Sequence, residues 1–124
     1  MGGKILVIDD DIITQNILVS MLTKAGYSVI VASDRDLGIQ AASKQLPDLI
    51  ILDVIVPGKD GIDVASFLGR NPRTKGIPII FFSALIPERG KRTKTKSDTF
   101  SYISKPINKD ELLNEVKKYF LGMN

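Results

Sequence analysis

Two hydrophobic patterns alternate along the chain from its first residues to its last. Short runs rich in Ile, Val, Leu and Phe predict strands, and longer stretches with apolar residues every three or four positions predict helices. Nearly continuous apolar runs are typical of parallel strands that are buried on both faces. Five such strands are predicted, at Lys4–Ile8, Tyr27–Ala32, Leu49–Leu52, Ile77–Phe82 and Phe100–Ser104.

Helices are predicted after most of these strands, and several have recognisable ends. The first ends at Gly26, and the third covers residues 61–70. Residues with N-cap or capping-box spacing at the predicted helix starts are Asp11, Ser33 with Asp36, and Asn108 with Glu111. The first helix is predicted from apolar residues that recur at helical spacing, namely Ile12, Ile13, Ile17, Leu18, Met21, Leu22 and Ala25.

This alternation predicts an α/β fold, a doubly wound parallel sheet of five strands with helices on both faces. We expect residues 1–124 to form a single domain. Right-handed crossovers place the carboxyl ends of all the strands at one edge of the sheet, and ligands of such sheets bind at that edge. Functional residues are therefore expected directly after the strands.

Residues 84–98 fit neither pattern. Pro87, Gly90 and the near absence of an apolar stripe predict a marginal helix or a loop in the position of a crossover. Five basic residues against two acidic ones, from Glu88 to Asp98, account for the whole net charge of +3. This basic segment is either a partner-facing surface or a solvated one. Because no aromatic residue separates its lysines and the rest of the chain is neutral, a nucleic-acid partner is not expected.

Composition excludes several classes of chemistry. The chain has no cysteine and no histidine, so it has no disulfide, thiolate nucleophile or imidazole base of its own. With 44% hydrophobic residues it has enough apolar material for a folded core. No apolar run approaches the roughly 18 residues of a membrane span, and we expect a soluble, cytoplasmic protein.

Complementary polar side chains follow four of the predicted strands. Asp9 and Asp10 follow the first strand, Asp53 follows the third, Ser83 the fourth and Lys105 the fifth. Three carboxylates at one edge repel one another, and an all-oxygen set of donors favours Mg²⁺ as the cation that relieves the repulsion. In a chain without cysteine or histidine a carboxylate is the best nucleophile, and Asp53 is placed to attack phosphorus. The Ser83 hydroxyl and the Lys105 ammonium can each contact a phosphoryl oxygen.

Each of these residues also has an ordinary structural explanation. An aspartate after a strand is often a helix cap or a turn residue. The Ser83 hydroxyl can bond to loop backbone, and Lys105 with Pro106 can simply end a strand. The convergence of all of them at one edge of the sheet favours a functional site.

In order and spacing, these motifs resemble the receiver domain of two-component response regulators, including the chemotaxis regulators. The matching motifs are Ile5–Asp11, Leu52–Asp53 with Pro57 and Asp60–Gly61, Ser83–Ala84, and Lys105–Pro106. The resemblance covers essentially the whole chain and implies a flavodoxin-like fold with strand order 2-1-3-4-5. It also implies a signalling domain, not a metabolic enzyme, that promotes its own aspartyl phosphorylation and dephosphorylation. The implied phosphodonor is a histidine of a partner sensor kinase or phosphotransfer protein, and the downstream target is unknown.

The resemblance assigns roles to the site residues. Asp53 is the expected phosphoacceptor. Asp10 and Asp53 are expected to ligate Mg²⁺ directly, with Asp9 acting through water and the backbone carbonyl of Ile55 completing the protein ligands.

A switch in the interaction surface is implied by two further positions. Ser83 stands where the family has the hydroxyl that turns toward the phosphoryl group. Tyr102 matches the aromatic residue whose ring turns inward as that hydroxyl moves, and Lys105 matches the lysine of the site.

Other functions are weighed by what they require. A phosphotransferase or phosphatase with an aspartate nucleophile needs a second aspartate two residues later, where this chain has Ile55. A nucleotide-binding domain needs a glycine-rich phosphate loop, which the sequence lacks. A receiver-like interaction module that works without phosphorylation stays open as the alternative, although Asp10, Asp53 and Lys105 are all present.

Overall fold

A parallel five-stranded sheet forms the centre of the computed structural model, which describes residues 3–53, 55–56, 59–83 and 100–121. Its strands are β1 (Lys4–Ile8), β2 (Ser28–Ala32), β3 (Leu49–Leu52), β6 (Ile79–Ser83) and β7 (Phe100–Ser104). Two short strands, β4 (Ile55–Val56) and β5 (Lys59–Asp60), form a separate antiparallel pair. The sheet order is β2-β1-β3-β6-β7, which is 2-1-3-4-5 when the strands of this sheet are counted in chain order. The expected flavodoxin-like order is confirmed.

Helices cover both faces of the sheet, as predicted. They are α1 (Ile12–Lys24), α2 (Arg35–Gln45), α3 (Gly61–Arg70) and α4 (Lys109–Leu121). On β1, Leu6 and Ile8 pack in a cluster with residues of α2 and α3, whereas Ile5 and Val7 pack in a second cluster with residues of α1 and α4. Alternate residues of one strand point to opposite faces, so both clusters share the same strands.

The predicted helix starts are confirmed at two places and wrong at one. Asp11 caps α1 by accepting a hydrogen bond from the Thr14 amide, and Asn108 caps α4 by accepting one from the Glu111 amide. The N-cap of α2 is Asp34, not Ser33, because the Asp34 carboxylate accepts a hydrogen bond from the Leu37 amide at 2.9 Å. Asp34 supplies the side-chain oxygen that accepts a hydrogen bond at the helix start, as Ser33 was expected to do, so α2 starts one residue later than predicted.

The apolar residues that recur along α1 are not all buried. Ile12 and Ile13 are each 65% exposed and Ile17 is 43% exposed. The buried residues of the helix are instead Thr14, Gln15, Leu18 and Leu22. These four positions share one side of the helix at spacings of three and four, so the side that faces the sheet is rotated away from the isoleucines.

Two strand boundaries also differ from the prediction. β2 begins at Ser28, one residue later than expected, and β6 covers Ile79–Ser83 instead of Ile77–Phe82. Because Pro78 has no amide hydrogen to donate, the regular hydrogen bonding of β6 with its neighbours begins only after this residue. The Pro78 carbonyl still accepts a hydrogen bond from the Ile50 amide at 3.0 Å. The unassigned segment 84–98, including its basic residues, lies outside the described residues. None of the helices that the structure describes is long and apolar enough to span a bilayer.

Candidate functional site

Two neighbouring strands of the sheet end in buried aspartates. Asp9 directly follows β1 and Asp53 directly follows β3, and they are 2% and 8% exposed. The Asp9 amide donates to the Ala32 carbonyl at 3.1 Å, and the Asp53 amide donates to the Ile8 carbonyl at 2.9 Å. Sheet hydrogen bonding therefore continues one residue past each strand and fixes the backbone of both aspartates.

A third carboxylate completes an acidic cluster at this edge. One carboxylate oxygen from each of Asp9, Asp10 and Asp53 lies within 4.8 Å of the other two. The predicted convergence of these three residues is confirmed. Asp10 is exposed while the other two are buried, so the cluster opens to solvent on the side of Asp10. An all-oxygen set of this kind can hold a hard divalent cation.

Lys105 supplies the positive charge of the site. It follows β7, and its Nζ lies 3.0 Å from a carboxylate oxygen of Asp9 and 3.2 Å from one of Asp53. The ammonium also lies 5.6 Å from the centroid of the Phe82 ring, within the range of a cation–π contact. The Lys105 side chain therefore connects the end of β7 to the ends of β1 and β3.

Burial and pairing act in opposite directions on these groups. Burial raises the pKa of the Asp9 carboxyl, and this effect outweighs the hydrogen bond from the Asp11 amide and the nearby Lys105 ammonium. Burial alone lowers the pKa of Lys105, but the hydrogen bonds and charges of Asp9 and Asp53 outweigh it, and the net pKa is raised. Lys105 is therefore firmly cationic, whereas ionised Asp9 is costly until more positive charge arrives.

Hydrogen bonds hold Asp9 in place. Its carboxylate accepts from the Asp11 amide at 2.9 Å, and its carbonyl accepts from the side-chain amide of Gln15. The same nitrogen of Gln15 donates to the Ser33 hydroxyl at 3.2 Å. Sequence reasoning missed Gln15, although a glutamine on the same side of the helix as Leu18 and Leu22 is the kind of polar residue that needs an internal partner.

Asp11 turns away from the cluster to cap α1. Its carboxylate accepts hydrogen bonds from the Thr14 hydroxyl at 2.6 Å and from the Thr14 amide at 3.3 Å. The bond from the Thr14 hydroxyl is the largest cause of a lowered pKa at Asp11. Of three consecutive aspartates, two contribute to the cluster and the third serves the helix.

The remaining predicted residues lie on the same elements. Ser83 is the last residue of β6 and pairs with Ser104, directly before Lys105, so its backbone ends at this edge. Tyr102 is half-buried and stacks on Phe81, with ring centroids 5.0 Å apart. Ile55 begins the β4–β5 pair, two residues after Asp53. The roles predicted for these residues in metal binding and switching stay predictions.

An apolar surface borders the site. We call Ile12, Ile13 and Ile17 the α1 patch, because all three are exposed on α1. Beside it, an open depression of about 560 Å³ is lined by Thr14, Ile17, Lys105, Pro106 and Ile107. Large aliphatic side chains exposed together in this way are typical of surfaces that contact another molecule.

Comparison with known proteins gives a consistent result. Residues 5–117 match the sequence model described as the response regulator receiver domain. Response regulator PleD of Caulobacter vibrioides is 36% identical over 118 residues, which cover 94% of this chain. Protein PilH of Pseudomonas aeruginosa is 27% identical over 120 residues. The structure of chemotaxis response regulator CheY4 of Vibrio cholerae superposes with a TM-score of 0.82 at 26% identity and covers 96% of this chain.

These relatives differ in how much of their length the match covers. The chain spans 26% of PleD but 99% of PilH and 99% of the CheY4 chain. The match therefore corresponds to one part of a larger protein in PleD and to nearly the whole of the other two.

Proposed function

Because the chain belongs to the response regulator receiver domain family, we propose that it accepts a phosphoryl group on Asp53. The observation that carries this proposal is the convergence of Asp9, Asp10 and Asp53 with the ammonium of Lys105 at one edge of the sheet. In this proposal residues 1–124 act as one receiver domain, located in the cytoplasm with the ATP that charges a histidine kinase.

Transfer from a phosphohistidine is a displacement at phosphorus. A carboxylate oxygen of Asp53 forms the new P–O bond while the P–N bond of the donor breaks, and the electron pair returns to the imidazole nitrogen. The Lys105 ammonium, 3.2 Å from Asp53, is positioned for a phosphoryl oxygen on that carboxylate. The same residues serve hydrolysis when water is the acceptor, so the domain promotes both its phosphorylation and its dephosphorylation.

The proposed cation is Mg²⁺, and the donor set fits it. Asp10 and Asp53 are its direct ligands in this proposal, with Asp9 acting through water and the Ile55 carbonyl as the remaining protein donor. When bound, Mg²⁺ supplies positive charge to the transferred phosphoryl oxygens. The raised pKa of buried Asp9 supports the need for such charge, because ionising that carboxyl is unfavourable without it.

Output follows from a shift between two conformations. The Ser83 hydroxyl is proposed to turn toward the phosphoryl group and Tyr102 to move with it. Support comes from the sheet, since Ser83 and Tyr102 lie on the adjacent strands β6 and β7 and the Tyr102 ring is only half-buried.

The α1 patch is the proposed docking surface for the phosphodonor, a histidine kinase or phosphotransfer protein with an apolar helical surface. Ile13 and Ile17 are exposed on α1, and Ile17 shares the open depression with Lys105. We expect Ile13→Ser and Ile17→Ser to slow phosphorylation by a histidine-phosphorylated protein donor and to leave phosphorylation by acetyl phosphate unchanged. Equal rates with the protein donor would remove this surface from the proposal.

Labelling with acetyl phosphate in the presence of Mg²⁺, followed by peptide mapping, tests the phosphoacceptor. We expect one base-labile phosphate on Asp53, none in Asp53→Asn, and unchanged labelling in Asp110→Asn, whose aspartate lies on α4 and outside the cluster. Beryllofluoride binding, followed by ¹⁹F NMR, reports the same site without a donor. Labelling that persists in Asp53→Asn overturns the assignment, and a folded chain that takes neither phosphate nor beryllofluoride favours an interaction module that works without phosphorylation.

A further inference from the structure

Gln15 is a polar side chain buried beside the acidic cluster. The residue is 6% exposed and lies on the side of α1 that packs against the sheet, with Leu18 and Leu22. Burying an amide group is unfavourable unless it makes hydrogen bonds. Its nitrogen makes two, to the Asp9 carbonyl and to the Ser33 hydroxyl. Nothing in the proposed phosphoryl transfer uses this residue.

The Asp9 carbonyl is part of the peptide unit that leads into Asp10. A peptide unit is planar, so fixing the direction of its carbonyl fixes the position of the next amide and of the next Cα. On the other side of Asp9, its own amide is held by the Ala32 carbonyl at 3.1 Å. The backbone of Asp9 is therefore held at both ends, and Gln15 holds the end nearer to Asp10.

Asp10 depends on the hydrogen bond from Gln15 to the Asp9 carbonyl more than the other two aspartates of the cluster do. Asp9 and Asp53 are buried, and each contacts Lys105, so their carboxylates are held by packing and charge. The Asp10 side chain is exposed, so we infer that the position of its backbone decides where its carboxylate lies.

We propose that Gln15 is a positioning residue for Asp10, and that by orienting the Asp9–Asp10 peptide unit it sets the affinity of the acidic cluster for Mg²⁺. The proposal rests on the proposed function, in which Asp10 is a metal ligand. Through Ser33 the same side chain also ties the end of β1 to the segment after β2, so the restraint is anchored outside the metal-binding loop.

Calorimetric Mg²⁺ titration of Gln15→Met tests this. Methionine keeps the length of the side chain and removes both hydrogen-bond donors. Loss of a group that orients a metal ligand typically weakens binding about 10-fold or more, and we expect an increase in Kd of that size. The matched control is Thr14→Val, which removes a part-buried side-chain hydrogen bond on the same helical turn but leaves the Asp9 carbonyl untouched. We expect its Kd to stay within about twofold of the unchanged chain.

A second readout does not need the metal. In the metal-free chain, Gln15→Met is expected to speed hydrogen exchange of the Asp10 amide and to shift its NMR signal, whereas Thr14→Val leaves this amide unchanged. A merely structural role would lower the thermal unfolding temperature of both variants and move neither the Kd nor this signal. Should Gln15→Met fail to fold, Gln15→Glu replaces it. Its added negative charge alone would favour Mg²⁺, so weaker binding there would report the lost donors.

The outcomes separate the two proposals. If the unchanged chain binds Mg²⁺, Asp10→Asn weakens binding and Gln15→Met does not, then the positioning role is wrong while the proposed function stands. If the unchanged chain shows no Mg²⁺ binding, both fail. A Gln15→Met variant with weaker binding and unchanged labelling of Asp53 at saturating Mg²⁺ supports both.

Discussion

The ammonium nitrogen of Lys105 lies 3.2 Å from a carboxylate oxygen of Asp53. The same nitrogen lies 3.0 Å from Asp9, so a single cation bridges the ends of two neighbouring strands. With Asp10, the site holds three carboxylates and one ammonium, so its formal charge is −2 once all three carboxylates are ionised. A divalent cation would neutralise this charge, so in the proposed function metal binding is coupled to the charge on Asp53.

Removing the Lys105 ammonium is expected to slow phosphoryl transfer and to leave the chain folded. In Lys105→Met the transferred oxygens lose one of their positive contacts, and loss of a single preorganised group of this kind reduces rates by about 100-fold. The measurement is the initial rate of labelling by acetyl phosphate at saturating Mg²⁺. Lys109→Met, an exposed lysine at the start of α4, is the control and should keep the full rate. A Lys105→Met rate within a few-fold of the unchanged chain would contradict this role.

The raised pKa of Asp9 predicts a pH dependence for the metal-free chain. In the unfolded state Asp9 loses its proton near its ordinary pKa of 3.8, whereas in the folded state it keeps the proton to a higher pH. Between these two pKa values the folded state therefore binds more protons than the unfolded state. The free energy of unfolding should therefore decrease as pH rises from about 3.8 through the raised pKa, because the stabilisation from protonated, buried Asp9 is lost. Asp9→Asn lacks this contribution.

Urea unfolding of both chains across this pH range isolates the contribution of Asp9 as a difference. We expect the stability of the unchanged chain relative to Asp9→Asn to fall with rising pH in the absence of metal. Mg²⁺ should reverse the trend, because it stabilises the ionised carboxylate. A difference that stays flat in metal-free buffer would mean that burial does not govern the pKa of Asp9.

Most of the sheet and of the site is predictable because both depend on strongly patterned residues. Leu49–Leu52 is apolar at every position, which is typical of a buried parallel strand, and the right-handed crossover rule then brings Asp53 to the same edge as Asp9. The buried side of α1 is not predictable in this way. The isoleucines of the α1 patch are exposed, whereas Gln15 is buried because it donates a hydrogen bond to the Asp9 carbonyl. The spacing of apolar residues along the helix carries no information about such a tertiary contact.

A buried polar contact between β7 and α4 predicts a stability effect away from the site. The Ser101 hydroxyl donates to the Glu115 carboxylate at 2.6 Å, and the Tyr119 hydroxyl lies 2.6 Å from the Ser101 hydroxyl oxygen. Since the serine hydrogen is used toward Glu115, Tyr119 is the donor in the second bond. Ser101→Ala removes one hydrogen bond from a buried carboxylate and should cost about 1–3 kcal/mol of unfolding free energy. Chemical denaturation measures it.

Ser104→Ala serves as the comparison, because Ser104 ends the same strand but is exposed, and we expect it to change stability by less than about 0.5 kcal/mol. Ser101→Ala should also keep its labelling on Asp53. Equal stability of the two alanine variants would mean that the contact with Glu115 adds nothing to the docking of α4.

Two helical glycines predict opposite responses to the same substitution. A Cβ at Gly38 in α2 would lie 2.7 Å from the Cδ1 atom of Ile8 and 3.1 Å from two more of its carbons. Ile8 is fully buried, so it cannot move aside without disturbing the core. Gly38→Ala should lower the free energy of unfolding by up to about 2 kcal/mol, because overpacking costs about 1–3 kcal/mol against a gain of about 1 kcal/mol in helix propensity. At Gly69 in α3 a Cβ meets nothing within 4 Å, and Gly69→Ala should stabilise the chain by up to about 1 kcal/mol.

This close approach also bears on the site, because Ile8 directly precedes Asp9 and its carbonyl accepts the Asp53 amide. Displacing Ile8 shifts both aspartates, so Gly38→Ala should weaken Mg²⁺ binding in addition to lowering stability, whereas Gly69→Ala should leave the Kd unchanged. Paired denaturation and calorimetry on the two variants separate these effects. If Gly38→Ala is as stable as Gly69→Ala, α2 can move away from β1, and the acidic cluster does not depend on the packing beneath it.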